Sequence, residues 1–500
     1  MTKIESILKE YGPMLSGKLA SIYEKKFSAT NEATRKAISR ERTPVQKIKT
    51  FPFTNNQVFC YLEEQFTKSI YRENLYDALK KYSASISPIL TAMENFEGYM
   101  SQSILPLYSA SPTENTKGHR LFKRNIDDLL ECGILVVADE QHYSFGAGYG
   151  EKMLNVRHSL AKERISRIVM EDVMAWAAKI NLVAFNCAKI YPTGVEFAHF
   201  QWFATCPSYI QPIYDLHSDR PGMLVADILY KRHAEVADVT FFVEKVNIIR
   251  HFKGIVNVVP FFVVESLSEE ALRYLKESKV IVGIISNLFD QSYADTLAGI
   301  YNTFNNATAI IYNEPEKIDE LLRMIEKNEG RFNNAIGALF ECIVGLFYQR
   351  KGVNYLELNK QIQNDRGSYF ELDVMASQGN IVTVVECKAT KSAITEEYVE
   401  KWLSTRLPVF KKWINEVYGG KSIVFQIWSI GGFDKGALEL LEKHKNMVSP
   451  SKYRLEYFDR TDIIQLAKEE KDDVLMRQIE QHFSFPINKS KESEKNTTGF

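Results

Sequence analysis

Residues 368–390 read SYFELDVMASQGNIVTVVECKAT. Two apolar runs flank Ser377-Gln378-Gly379-Asn380, a cluster of turn residues, so the stretch predicts a β-hairpin. Strand side chains alternate faces, which puts Glu386 and Lys388 on one face with Val382 and Val384. Ile381, Thr383, Val385 and Cys387 take the other face. Asp373 interrupts the first strand. A carboxylate and an ammonium set among β-branched residues are costly to bury without a partner. Two carboxylates and a lysine that converge where strands meet can hold a divalent cation and steer a water. Magnesium takes oxygen ligands and keeps several waters, so one or two carboxylates and a substrate phosphate suffice. Asp373 and Glu386 are the candidate ligands, with the backbone carbonyl of Cys387 as a third. Lys388 is the candidate for orienting or deprotonating an attacking water. The plain alternative is an exposed hairpin carrying ordinary surface charge.

Upstream, residues 333–347 (NNAIGALFECIVGLF) repeat apolar side chains at helical spacing around Glu341. That glutamate needs a cation or a partner; the alternative is a rim carboxylate paired with Arg350 or Lys351. Downstream, the pattern predicts a helix over 395–417, a strand over 422–429 and a helix over 435–445. The whole resembles the PD-(D/E)xK phosphodiesterase superfamily, the restriction-endonuclease-like fold. Its acid is Asp373, and its acid-x-lysine triplet is Glu386-Cys387-Lys388. Leu372 stands where the proline of the family motif would be. The resemblance runs from Arg331 to Asp472. It implies a Mg2+-dependent DNA endonuclease, with Mn2+ as a substitute and Glu341 as a further catalytic and metal residue. A prokaryotic restriction or anti-phage role, DNA repair, junction resolution or transposition are all compatible with it. So is a winged-helix DNA-binding regulator whose nuclease domain is vestigial.

The chain has 500 residues, 45% hydrophobic and 25% charged, and a net charge of −1, which fits a multidomain globular protein with no overall basic excess. No apolar run is long enough to span a bilayer, and MTKIESILKEYG lacks the character of a signal peptide. Six scattered cysteines without a C-x-x-C pair argue against zinc ribbons and for reduced, cytoplasmic thiols.

Residues 1–60 hold eleven Lys/Arg against five acids, a local excess of +6. Helix, turn at Ser28-Ala29-Thr30, helix over 31–42, then a hairpin resembles a winged helix-turn-helix. By that resemblance Asn31, Thr34, Arg35, Ser39 and Arg42 are candidate groove contacts, and Lys47 and Lys49 candidate phosphate contacts. The alternative is a helical interaction module with a solvated charged face. A second copy follows, but its corresponding helix carries Asp127, Asp128 and Glu131, which repel phosphate.

Residues 155–300 read as an internal repeat of the nuclease. Asp215 aligns with Asp373, Leu229-Tyr230-Lys231 with Glu386-Cys387-Lys388, and Glu171 with Glu341. On this alignment a leucine replaces a metal ligand. EFAHFQWF (196–203) and TFFVEK (240–245) read as aromatic core strands, and His199, His217 and His233 show no ligand spacing.

The expected fold is therefore multidomain α+β and α/β. Winged-helix modules occupy 1–68 and 69–152, and a degenerate nuclease-like domain 153–300. A linker helix covers 301–330, the nuclease domain 331–486 and a disordered tail 487–500. DNA is the expected partner, with a homodimer and an activating protein as further candidates and no membrane.

Overall fold

The computed structural model describes every residue except 67, 140, 151–154, 193–194, 211–219, 253, 256, 328–332, 365–368, 391 and 484–500. It is a mixed α and β protein of two compact units, residues 1–294 and 295–500. The tail and Asp215 lie outside the described residues.

The first unit begins with α1 (Lys3–Tyr11), β1 (Met14–Leu15), α2 (Ser16–Phe27), α3 (Asn31–Arg40), β2 (Val45–Ile48) and β3 (Phe59–Leu62). Thr30 starts α3 as its side chain accepts from the Ala33 amide, and Ser28 takes the left-handed conformation that ends α2. The strands form an antiparallel sheet in the order β1-β3-β2, over a core of Ile4, Ile7, Leu8, Leu19 and Ile38. A second module with a similar sheet follows, its first strand after two helices instead of one: α4 (Ser69–Tyr82), α5 (Ser87–Asn95), β4 (Tyr99–Ser101), α6 (Phe122–Glu131), β5 (Leu135–Asp139) and β6 (His142–Phe145). Its sheet order is β4-β6-β5.

Next come α7 (Val156–Lys179), β7 (Lys189–Ile190), the short hairpin β8 (Glu196–Phe197) and β9 (Phe200–Gln201), and β10 (Ala204–Ser208). They are followed by β11 (Gly222–Ala234), α8 (Val236–Arg250), β12 (Val258–Leu267), α9 (Glu269–Glu277), β13 (Ile281–Ile284) and α10 (Ile285–Leu288). TFFVEK lies on α8, not on a strand. Its run of apolar residues belongs to a helix buried on several sides, started where Asp238 accepts from the Glu235 amide at 2.9 Å.

The second unit starts within α11 (Gln291–Asn313) and adds α12 (Glu316–Lys327), α13 (Asn333–Arg350), β14 (Tyr355–Gln363), β15 (Tyr369–Gln378) and β16 (Ile381–Lys388). The chain continues through α14 (Glu396–Lys401), a π-helical turn (Trp402–Arg406) and α15 (Leu407–Val417). It closes with β17 (Ser422–Ser429), α16 (Lys435–Met447), β18 (Arg454–Asp459), α17 (Arg460–Glu469) and α18 (Asp473–His482). Of the expected linker helix at 301–330, the described part is the end of α11 and α12, and it is core, with Phe304, Ile311, Ile318, Leu321, Leu322 and Ile325 buried. Glu316, Lys317, Glu320 and Arg323 stay exposed along α12, so composition alone read as solvated.

The two larger sheets share one plan. The orders β7-β10-β11-β12-β13 and β14-β15-β16-β17-β18 both pair antiparallel, antiparallel, parallel, parallel. The residue alignment between them needs correction. The antiparallel ladder ends at Ala204↔Ala226 in one sheet and Val374↔Val385 in the other. Counting one step on, Asp227 and not Leu229 takes the place of Glu386, and Phe203 that of Asp373. A β-bulge between Leu229 and His233, with Lys231 at φ 59°, displaced the sequence match by two residues. An acid stands at this position too, and it is closed off: Asp227 meets Lys245 of α8 at 2.6 Å, with both side chains buried. Glu171 pairs with Arg167 at 3.0 Å.

Candidate active site

Gly379, at φ 56°, turns β15 into β16 and sets the register Val374↔Val385. One position further, Asp373 and Glu386 face each other across the end of the ladder, 6% and 2% exposed. Asp373 is positioned from the adjacent strand, since its Oδ2 accepts from the Cys387 amide at 2.8 Å. A strand residue's N–H and C=O point to the same side, so the Cys387 carbonyl is directed toward Asp373. The next carbonyl, of Lys388, points the other way and accepts from Ile430 at 2.9 Å.

Glu386 is held by four donors. Lys388 Nζ lies 2.8 Å and Arg406 Nη1 3.0 Å from Oε1, Tyr398 donates its hydroxyl to Oε1 at 2.5 Å, and Trp402 Nε1 donates to Oε2 at 3.0 Å. Tyr398, Trp402 and Arg406 are four residues apart along the segment that follows the strands. In an uninterrupted α-helix, residues eight apart drift about 80° around the axis. The π-helical turn widens the helix between Trp402 and Arg406 and brings Arg406 back toward Glu386. Its cause is local. Pro408 has no N–H for the Ser404 carbonyl and its ring crowds that carbonyl, so the regular turn cannot continue.

The electrostatics separate the two acids. Burial pushes the Asp373 carboxyl up to about 7, Glu386 adds to this, and Lys388 opposes it. Burial also acts upward on Glu386, but Lys388 and Arg406 outweigh it and hold the carboxyl below its usual range. Lys388 is pushed well above its ordinary value, because the attraction of Glu386 and Asp373 exceeds the cost of burial. One carboxylate is thus ionised while its neighbour holds a proton near neutrality. A site with two hard oxygen donors and suppressed charge on one of them suits a divalent cation, which relieves that suppression.

Glu341 sits half-buried on α13, and its charge helps to raise the Cys387 thiol, after burial as the main cause. Of the two cations weighed as its rim partners, Arg350 pairs with Asp472 at 2.8 Å and Lys351 with Glu470 at 2.6 Å. Among the described residues, the one trio of ligand atoms within 4.8 Å of one another is Glu114, Glu196 and His199, all exposed. Glu341 thus does not join Asp373 and Glu386 in a tight trio. Sequence reading missed Tyr398, Trp402 and Arg406; the available signal was their four-residue spacing just ahead of a helical proline.

In the first unit, Asn31, Arg35, Ser39, Lys47 and Lys49 line a cleft of about 660 Å3 between α2, α3 and the hairpin. Thr34 is corrected: it is fully buried and donates its hydroxyl to the Thr30 carbonyl at 3.0 Å. Lys47 is corrected in part, for it caps α3 by donating to the Ser39 and Glu41 carbonyls at 3.0 and 2.9 Å. Asn31 donates to Glu24 at 2.9 Å, and Arg42 is exposed and does not line the cleft. Lys47→Met is expected to lower stability by about 1 kcal/mol, read as a lower midpoint of urea unfolding.

No family model, curated protein or solved structure matches this chain. No helix among the described residues is long and apolar enough to cross a membrane.

Proposed function

We propose that this chain is a magnesium-dependent deoxyribonuclease acting at Asp373, Glu386 and Lys388. The observation that carries the reading is the pairing of two buried carboxylates at the end of adjacent strands, with a lysine on the same face. Asp373, Glu386 and the Cys387 carbonyl would hold the cation. The cation, when bound, lowers the pKa of its water and neutralises charge on the phosphate. Lys388 stays protonated and so acts as a charge that orients water and phosphate, in preference to a base.

The strand order of the second unit supports a restriction-endonuclease-like fold for residues 331–486. The order β1-β3-β2, repeated in β4-β6-β5, supports tandem winged-helix modules. On this reading the cleft bearing Asn31, Arg35, Ser39 and Lys49 meets duplex DNA. The middle sheet, with Phe203 and the Asp227–Lys245 pair, is a relative without a metal site.

Supercoiled plasmid incubated with wild type is expected to become nicked or linear with magnesium or manganese and to stay intact with chelator. Glu386→Ala is expected to leave it intact throughout. If wild type with either cation spares plasmid, linear duplex, single strands and RNA alike, the nuclease reading is wrong. The saturation of Glu386 by its four donors favours a second reading, a DNA-binding protein whose nuclease sheet no longer cuts. That reading predicts wild type and Glu386→Ala to retain plasmid equally on a gel with no cleavage by either.

A further inference from the structure

Glu386 Oε1 accepts from Tyr398, Lys388 and Arg406 at once. A divalent ion cannot share that oxygen with two monovalent cations and a hydroxyl donor. One of them has to give way, and their surroundings differ. Lys388 is fixed on β16 two residues from Glu386, and its ammonium also lies 5.4 Å from the Tyr398 ring. Tyr398 and the buried Trp402 belong to the helix face that packs on the sheet. Arg406 stands at the end of the π-helical turn with its side chain 37% exposed, the highest of the charged groups around Glu386. Its guanidinium carries five N–H donors, more than one carboxylate oxygen can accept, in a planar fork that matches a phosphate.

We propose that Arg406 is an exchange residue, which holds Glu386 in the free protein and moves to a phosphodiester oxygen when nucleic acid binds, releasing Glu386 to the cation. The inference rests on the nuclease reading above. It makes cation binding and substrate binding cooperative: the anion draws away the more exposed of the two cations that crowd Glu386. Tyr398 and Trp402 keep the Glu386 carboxylate oriented throughout. The cleavage chemistry itself is unchanged, since Arg406 takes no proton and forms no covalent bond.

The test is Mn2+ binding to the full chain without nucleic acid, followed by the free-ion electron paramagnetic resonance signal. Arg406→Ala is expected to bind Mn2+ about tenfold more tightly than wild type, because the competing cation is gone. In plasmid cleavage the same variant is expected to show a KM raised about tenfold, with the gain in metal affinity opposing any fall in kcat. Arg406→Lys keeps the charge and is expected to restore weak Mn2+ binding while recovering only part of the KM. Thermal melts identify the variants that fold. Should Arg406→Ala be unfolded, Arg406→Gln carries the same expectation for Mn2+. If Mn2+ binding requires Asp373 but is no tighter without Arg406, this inference is overturned and the nuclease reading stands. If Asp373→Ala leaves Mn2+ binding unchanged, both fall.

Discussion

Lys245→Met is expected to remove about 3–5 kcal/mol of stability from the first unit. The ammonium of Lys245 contacts Asp227 at 2.6 Å, the Leu107 carbonyl at 2.7 Å and the Gln201 carbonyl at 2.9 Å, over the Trp202 ring at 4.3 Å. It thus ties the second small module to the middle sheet. A methionine fills the volume but leaves the Asp227 carboxylate among apolar groups. Burial already pushes that carboxyl up to about 6 against the attraction of Lys245. Without the lysine it has to take a proton or lose the fold. The paired change Lys245→Met with Asp227→Leu removes both charges and is expected to recover most of the loss, since a buried ion pair is costly to break but replaceable as a unit. Urea unfolding of the two variants beside wild type measures this. A loss below about 1 kcal/mol in the single variant would mean that the pair contributes little.

Asp373→Asn is expected to reduce metal-dependent cleavage by at least about a hundredfold and, at pH 8, to stabilise the protein by about 1–3 kcal/mol. The two effects share one cause. The folded state raises the Asp373 carboxyl to about 7, mainly through burial and then through Glu386, whereas an unfolded aspartate titrates near about 3.9. Between those values the folded protein binds more protons than the unfolded chain, so stability falls as pH rises across the window and levels off above it. Asparagine removes that slope. Magnesium is expected to raise the melting temperature of wild type at pH 8 and to leave Asp373→Asn unchanged. Equal pH dependence in both proteins would count against the buried carboxyl as its source.

The hairpin was legible because its alternation, turn residues and charges all act within 23 residues of chain, 368–390. The strand over 422–429 and the helix beginning at Lys435 appeared where periodicity placed them. Contacts distant in sequence were not legible. Nothing local to Thr34 distinguishes an exposed groove residue from one turned into the core. Lys47 looked like a phosphate contact because a lysine that caps a helix from a neighbouring strand has the same composition signal. The bulge near Lys231 shifted the repeat alignment, and only hydrogen-bond register placed Asp227 opposite Lys245. Arg406 escaped notice because a regular helix would have carried it away from Glu386.

The wide turn at 402–406 has a genetic consequence. Leu407, Phe410 and Ile414 beyond it are buried in the same core that Trp402 enters. Adding a single codon between Trp402 and Arg406, where the turn is already wide, would rotate Arg406 and those three side chains together by about 100° and push them on about 1.5 Å. No single replacement of an amino acid does as much. The segment therefore tolerates drift in identity far better than change in length. Descendants that keep the site are expected to keep the count of residues from Tyr398 to Arg406, even where the letters between them have changed.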